Sequence, residues 1–149
     1  RWIAQYLLEQ YLQSPINIAA FFLQSVITKN SLASFSRTLS SLTSAGVPLL
    51  ESIAISKKTM SNVVFTGVVD RLYYGVQVGK SSNEVLSEEP AIPRMFTAMF
   101  RIGEETGELG EMVDKLADFY EDEVTAAVKA LTSVLEPLMI VIVALTILL

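Results

Sequence analysis

Apolar residues recur along this chain every three or four positions, and no stretch alternates apolar and polar residues for long enough to compete as a strand. Leu32, Phe35, Leu39 and Leu42 fall at i, i+3, i+7 and i+10, one helix face, and Ser31 is placed to cap that helix at its N-terminus. Ala45-Gly46-Val47-Pro48 ends it. Gly46 suits the left-handed position after a helix, and Pro48 suits the first turn of the next. Leu49, Leu50, Ile53 and Ala54 stripe a second helix, and Phe65, Val68, Val69, Leu72 and Val76 stripe a third. Gly79 to Asn83 reads as a loop capping a short helix near 82–88, and Pro93 opens a fifth helix. There Met95, Phe96, Met99, Phe100 and Ile102 cover more than half the circumference, which predicts a central place in a bundle and core roles for the Met and Phe residues. A sixth helix starts near Leu109.

Both ends of the chain depart from this pattern. RWIAQYLLEQYLQ (1–13) is aromatic-rich and weakly helical. INIAAFFLQSVI (16–27), joined to it at Ser14-Pro15, is too short to span a bilayer and reads as an amphipathic segment against membrane or domain. PLMIVIVALTILL (137–149) is uncharged and mostly apolar, shorter than the roughly 20 residues a span needs, but nothing polar closes it. It reads as the start of a membrane helix, the chain being a fragment that stops within it; the other reading is a buried core helix. A charge at the centre of a span costs several kcal/mol, so Glu136, followed by Pro137, is expected at the membrane–water interface. There it either snorkels to water or contacts another protein.

Composition then removes whole classes of chemistry. The net charge of −5 argues against a nucleic-acid surface. Without cysteine there is no thiolate or disulfide, and without histidine the common base, triad member and metal ligand is missing. No phosphate-binding loop of the G-x-x-x-x-G-K-[ST] type is present. The chain therefore reads as non-enzymatic, with no cofactor and no metal.

One cluster asks for an explanation. GEETGEL (103–109) brings three glutamates and two glycines together, and from Glu104 to Glu123 there are nine carboxylates and one base, Lys115. Gly103 and Gly107 read as turn residues, with Gly107 between the fifth and sixth helices. Glu108 and Glu111 fall in the first turn of the sixth helix, where its dipole favours acids by roughly 0.3–1 kcal/mol each. Along that helix Leu109, Met112, Val113, Leu116 and Tyr120 share one side, while Glu111, Asp114, Asp118, Glu121 and Asp122 share the other. Like charges at i, i+4 cost a few tenths of a kcal/mol each. The acidic face is either a solvated surface, a surface for a basic partner, or, less well suited on a rigid helix, a divalent-cation site. Glu104 and Glu105 are adjacent and point about 100° apart, which does not suit an acid/base pair. The candidate partner-binding residues are Glu104, Glu105, Glu108, Glu111, Asp114, Asp118, Glu121 and Asp122.

Four segments occur in a telling order: FSRTLSSLTSAGVPLLESI (35–53), VQVGKSSNEVLSEE (76–89), PRMFTAMFRIGEETGELGEMVDKLADFYEDEV (93–124) and LEPLMIVIVALTILL (135–149). Over residues 32–149 the chain resembles the type II secretion system F-domain family, inner-membrane platform proteins of type II secretion and type IV pilus assembly. The Leu-Glu-Pro-Leu motif resembles the C-terminal of that family's two domain copies; residues 1–31 match weakly. The resemblance implies an all-α, antiparallel six-helix bundle leading into a transmembrane helix. It divides the chain into a membrane-proximal linker (1–31), a cytoplasmic bundle (32–129) and the start of the last span (130–149), which makes the interface expected at Glu136 the cytoplasmic one. It implies a multi-pass protein of the bacterial inner membrane that scaffolds without catalysis, coupling a cytoplasmic assembly ATPase to insertion or extraction of pilins or pseudopilins. Other inner-membrane machine components, membrane lipid and further copies of the chain are the remaining partners it implies, and nucleic acid is not among them. Two other readings of the residues are a tail-anchored helical adaptor that recruits a basic cytosolic protein and a carboxylate metal enzyme.

Overall fold

The computed structural model describes residues 1–6 and 17–149. Six helices follow in order: α1 (Trp2–Ser44), α2 (Leu49–Lys57), α3 (Val63–Gln77), α4 (Ser82–Ser87), α5 (Arg94–Thr106) and α6 (Leu109–Leu148). Among the described residues there is no strand. Each helix touches the next, and α6 closes the ring by running antiparallel along α1 in the most extensive helix pairing of the fold. The expected all-α bundle leading into a long apolar helix is the architecture observed.

The core fills the inside of this ring. Leu32, Phe35 and Leu39 of α1 meet Ile53 of α2, then Phe65, Val68, Val69 and Leu72 of α3. Phe96 and Phe100 of α5 and Val113, Leu116 and Tyr120 of α6 complete it. These are the stripes that helical spacing picks out. Local chemistry stops the helices where expected: Gly46 adopts φ 86° after α1, Pro48 and Pro93 stand immediately before α2 and α5, and the Ser81 hydroxyl accepts from Glu84 N–H to cap α4.

Two expectations are corrected. Ser31 does not cap a helix: residues 17–44 are one uninterrupted helix, and Ser31 is buried within it. No glycine or proline interrupts those residues, so the hydrogen-bond ladder runs through Ser31, and a serine caps only where the chain bends away. INIAAFFLQSVI, from residue 17 onward, is thus part of α1; most of RWIAQYLLEQYLQ and the Ser14-Pro15 join lie outside the described residues. Second, α5 is not central. It buries the stripe Phe96, Phe100 and Gly103 between α4 and α6, while Ile102 is 40% exposed. Methionine at 95 and 99 lies at the margin of the core, which narrows the buried stripe to less than the apolar count suggests.

At the C-terminus the expected apolar helix is observed, and the alternative reading is not. The apolar part of α6 is not a core helix. Buried residues on α6 end at Tyr120, and α6 then projects from the bundle with Val134, Leu138, Ile140 and Ile147 exposed. The helix is long and apolar enough to cross a membrane, and none of its most apolar stretch is buried. Pro137 lies within it and removes one backbone N–H from the ladder without ending the helix.

Candidate partner-binding face

The turn at GEETGEL rests on one residue. Gly107 has φ 75°, a left-handed conformation costly for residues with a Cβ, and it reverses the chain between α5 and α6. Gly103 is not a turn residue. It lies inside α5, buried, where a Cβ would stand 2.7 Å from the Leu109 Cα. Its absence of a side chain lets the start of α6 cross α5 closely, a requirement of the hairpin's far arm that neighbouring residues do not signal.

The acidic residues divide into three groups. Glu104 reaches across to the start of α4, where its carboxylate accepts from Ser82 N–H at 2.7 Å and Asn83 N–H at 3.3 Å. It caps a six-residue helix that lies 22 positions earlier in the chain, a role invisible in the sequence. Replacing a capping acid of this kind costs about 0.5–2 kcal/mol, so Glu104→Ala is expected to lower the unfolding midpoint while Glu105→Ala, at an exposed site, leaves it unchanged. Equal midpoints for the two variants would contradict the capping role.

Asp114, Asp118 and Glu121 form the second group. They lie at i, i+4 and i+7 on α6 and converge on one guanidinium, Arg37 of α1, at 2.6, 2.5 and 2.8 Å. Ser40, one turn further along α1, donates to Asp114 at 3.2 Å. About two helical turns before Arg37, Lys29 pairs with Glu123 at 2.8 Å. The two basic residues of α1 between 17 and 44 thus both face α6, and this explains acids at i, i+4 with a single lysine, Lys115, among them. The like-charge cost is offset from the neighbouring helix. Three of the eight candidate binding residues are therefore committed within the molecule, in the place a bound cation would occupy. Arg37 holds the Glu121 carboxyl below the usual carboxylate range, through a hydrogen bond first and its charge second, and is itself held protonated by Glu121 and Asp118. Arg71 lowers Glu89 in the same way on the other side of the bundle.

A pH dependence follows. A carboxyl whose folded pKa is depressed adds stability above its unfolded value, ~4.3 for glutamate, and loses it as pH falls through the folded value. The stability of the bundle is expected to be flat from pH 7 to 5 and to decline below about pH 4. In Arg37→Met the decline is expected to be shallower. An unchanged acid limb in that variant would show that Arg37 does not set it.

The third group is open. Glu105 and Glu108 stand exposed at the hairpin tip and Asp122 is exposed on α6, none in an ion pair among the described residues. Glu108 occupies the N-cap position of α6 without a side-chain capping bond. Glu111 pairs only with Lys115 of its own helix, at 3.0 Å. Glu136 lies exposed on the projecting part of α6, just before Pro137.

Comparison with known proteins fits this architecture. The chain is 45% identical over 114 residues to the type IV pilus assembly protein PilC of Thermus thermophilus, a match covering 76% of this chain and 28% of that protein. It is 36% identical over 116 residues to PilC of Myxococcus xanthus, covering 78% and 28%. To the type II secretion system protein F of Aeromonas hydrophila it is 35% identical over 109 residues, covering 73% and 28%. The chain spans a little over a quarter of the length of these relatives. Residues 35–149 match the family model described as type II secretion system (T2SS), protein F, and the chain belongs to that family.

Proposed function

We propose that this chain is the cytoplasmic bundle and membrane stalk of a non-catalytic platform protein in the bacterial inner membrane, serving a type IV pilus or type II secretion machine. In this reading it couples a cytoplasmic assembly ATPase to the insertion or extraction of pilins or pseudopilins. The supporting observation is the continuity of α6, 40 residues from the hairpin tip into the apolar run. At 1.5 Å per residue it forms a rod of about 60 Å. The Arg37 cluster fastens that rod to α1, so a push on the bundle is carried by α6 into the membrane. Residues 32–129 act as the cytoplasmic unit and 130–149 as the membrane part. Glu136 sits at the cytoplasmic interface, within reach of a pilin or a second protomer. The ATPase docks on the open acids, Glu105, Glu108, Glu111 and Asp122, rather than on the three that hold Arg37.

Inserting two glycines between Ala127 and Val128 tests the coupling, since it breaks the rod outside the core. Assembly or secretion is expected to be lost while unfolding of the bundle and binding of the ATPase from the same operon stay unchanged. Normal assembly in this variant would sink the rod mechanism. Reversing the open acids to lysine is expected to abolish salt-sensitive ATPase binding by the full-length protein; retained binding would place the docking site elsewhere.

A further inference from the structure

The chain carries a second charged surface, of opposite sign. Arg94 and Arg101 stand two turns apart on α5, both exposed, and neither forms an ion pair among the described residues. They line a groove of about 310 Å³ between α4 and α5, with Thr97 and Ala98 between them and Leu86 and Ile92 among its apolar lining. One carboxylate also lines it, Glu89, and that is taken: Arg71 holds it at two points, with Nη2 to Oε2 at 2.8 Å. In a chain of net charge −5, this groove presents two unpaired guanidinium groups around a small apolar centre.

We infer that the groove is a docking site for an acidic amphipathic helix of a partner protein. Seven residues along α5 set the two arginines about 10.5 Å apart. Two acids seven residues apart on a docked helix match that spacing, and guanidinium and carboxylate pair in a fork geometry. Ala98 is small enough to admit an apolar side chain between the two ion pairs, over Leu86 and Ile92, as in helix-in-groove recognition.

The direction of α5 selects protein over lipid. α5 runs antiparallel to α6 across the Gly107 turn, so the line from Arg94 to Arg101 lies along the stalk, away from its apolar end. A membrane surface perpendicular to that stalk can reach Arg94 but not both arginines. This step rests on the proposed function only in taking the apolar end of α6 as the membrane end. A nucleic-acid backbone, charged at every nucleotide, would find only these two arginines in the groove, on a chain of net charge −5.

A photo-crosslinking residue, p-benzoylphenylalanine, placed at Ser87 or Thr97 of the full-length protein in the cells that make it, tests the site. The expected result is an adduct mapping to a segment of another protein with acids two turns apart. Its yield is expected to fall about tenfold in Arg94→Glu/Arg101→Glu and to return when the mapped acids are changed to lysine. Both arginines are exposed, so the double variant is expected to unfold at the wild-type midpoint, which separates lost docking from lost folding. An adduct with a second copy of this chain, with lipid alone, or with a protein segment lacking acids would overturn the inference. So would no adduct at either position, or a yield indifferent to the two arginines. The readout does not depend on assembly, so it stands or falls apart from the glycine insertion in α6.

Discussion

Phe100→Ala is expected to destabilise the bundle by about 3–5 kcal/mol, the largest single effect among these residues. Phe100 is fully buried and stacks on Phe96 with ring centroids 5.0 Å apart and planes at 19°. Phe96 in turn meets Phe35 at 6.4 Å and Tyr120 at 6.2 Å, so the rings bind α5 to both α1 and α6. Truncation at 100 removes the transfer free energy of the ring and leaves a cavity that three helices would have to move together to close. Native domains are stable by only about 5–15 kcal/mol, so the variant is expected to unfold at much lower denaturant. Phe119 is the control: it is next to Tyr120 in sequence but 43% exposed, and Phe119→Ala is expected to cost less than about 1 kcal/mol. Similar losses for the two variants would show that the aromatic cluster is not the centre of the core.

The second large effect is expected from Asp114→Lys/Asp118→Lys/Glu121→Lys. If the acidic face of α6 were only a docking surface, this variant would fold normally and lose binding. The structure leads to another outcome. Three lysines would face Arg37, replacing three ion pairs with three repulsions along the α1–α6 pairing. Each pair is partly exposed and contributes only about 0.2–1 kcal/mol, but reversal counts each one twice. A loss of roughly 2 kcal/mol is expected, made smaller by salt. Arg37→Glu placed in the same chain is expected to restore much of it, because it rebuilds the pairs with signs exchanged. A fold-neutral triple variant, or no rescue by Arg37→Glu, would show that the cluster does not fasten α6 to α1. Docking is therefore better probed at Glu105, Glu108 and Asp122, where no basic partner competes.

Stretches of this chain differ in how far their sequence can be read. The turn at Ala45-Gly46-Val47-Pro48 and the stop at Gly107 are legible because their chemistry is local: a left-handed glycine and a fixed proline φ act over a few residues. The inward stripes of α1, α3 and α6 are legible because burial repeats with the helix. Position 31 misleads, because Ser31 has the chemistry of a cap but no break beside it. Gly103 misleads for a related reason, since a glycine that opens a turn and one that admits a neighbouring backbone look the same in sequence.

The sequence by itself determined α2 to α6 and the end of α1, the apolar helix that leaves the bundle, the absence of thiol and imidazole chemistry, and the family. All of these follow from periodicity, composition and motif order, which need no knowledge of what lies opposite. Only the tertiary structure decided which acids are free. Arg37 meets Asp114 across 77 positions and Lys29 meets Glu123 across 94. Charge is not directional along the chain, and a carboxylate that caps, pairs or waits for a partner has the same letter until the fold brings its counterpart within 3 Å.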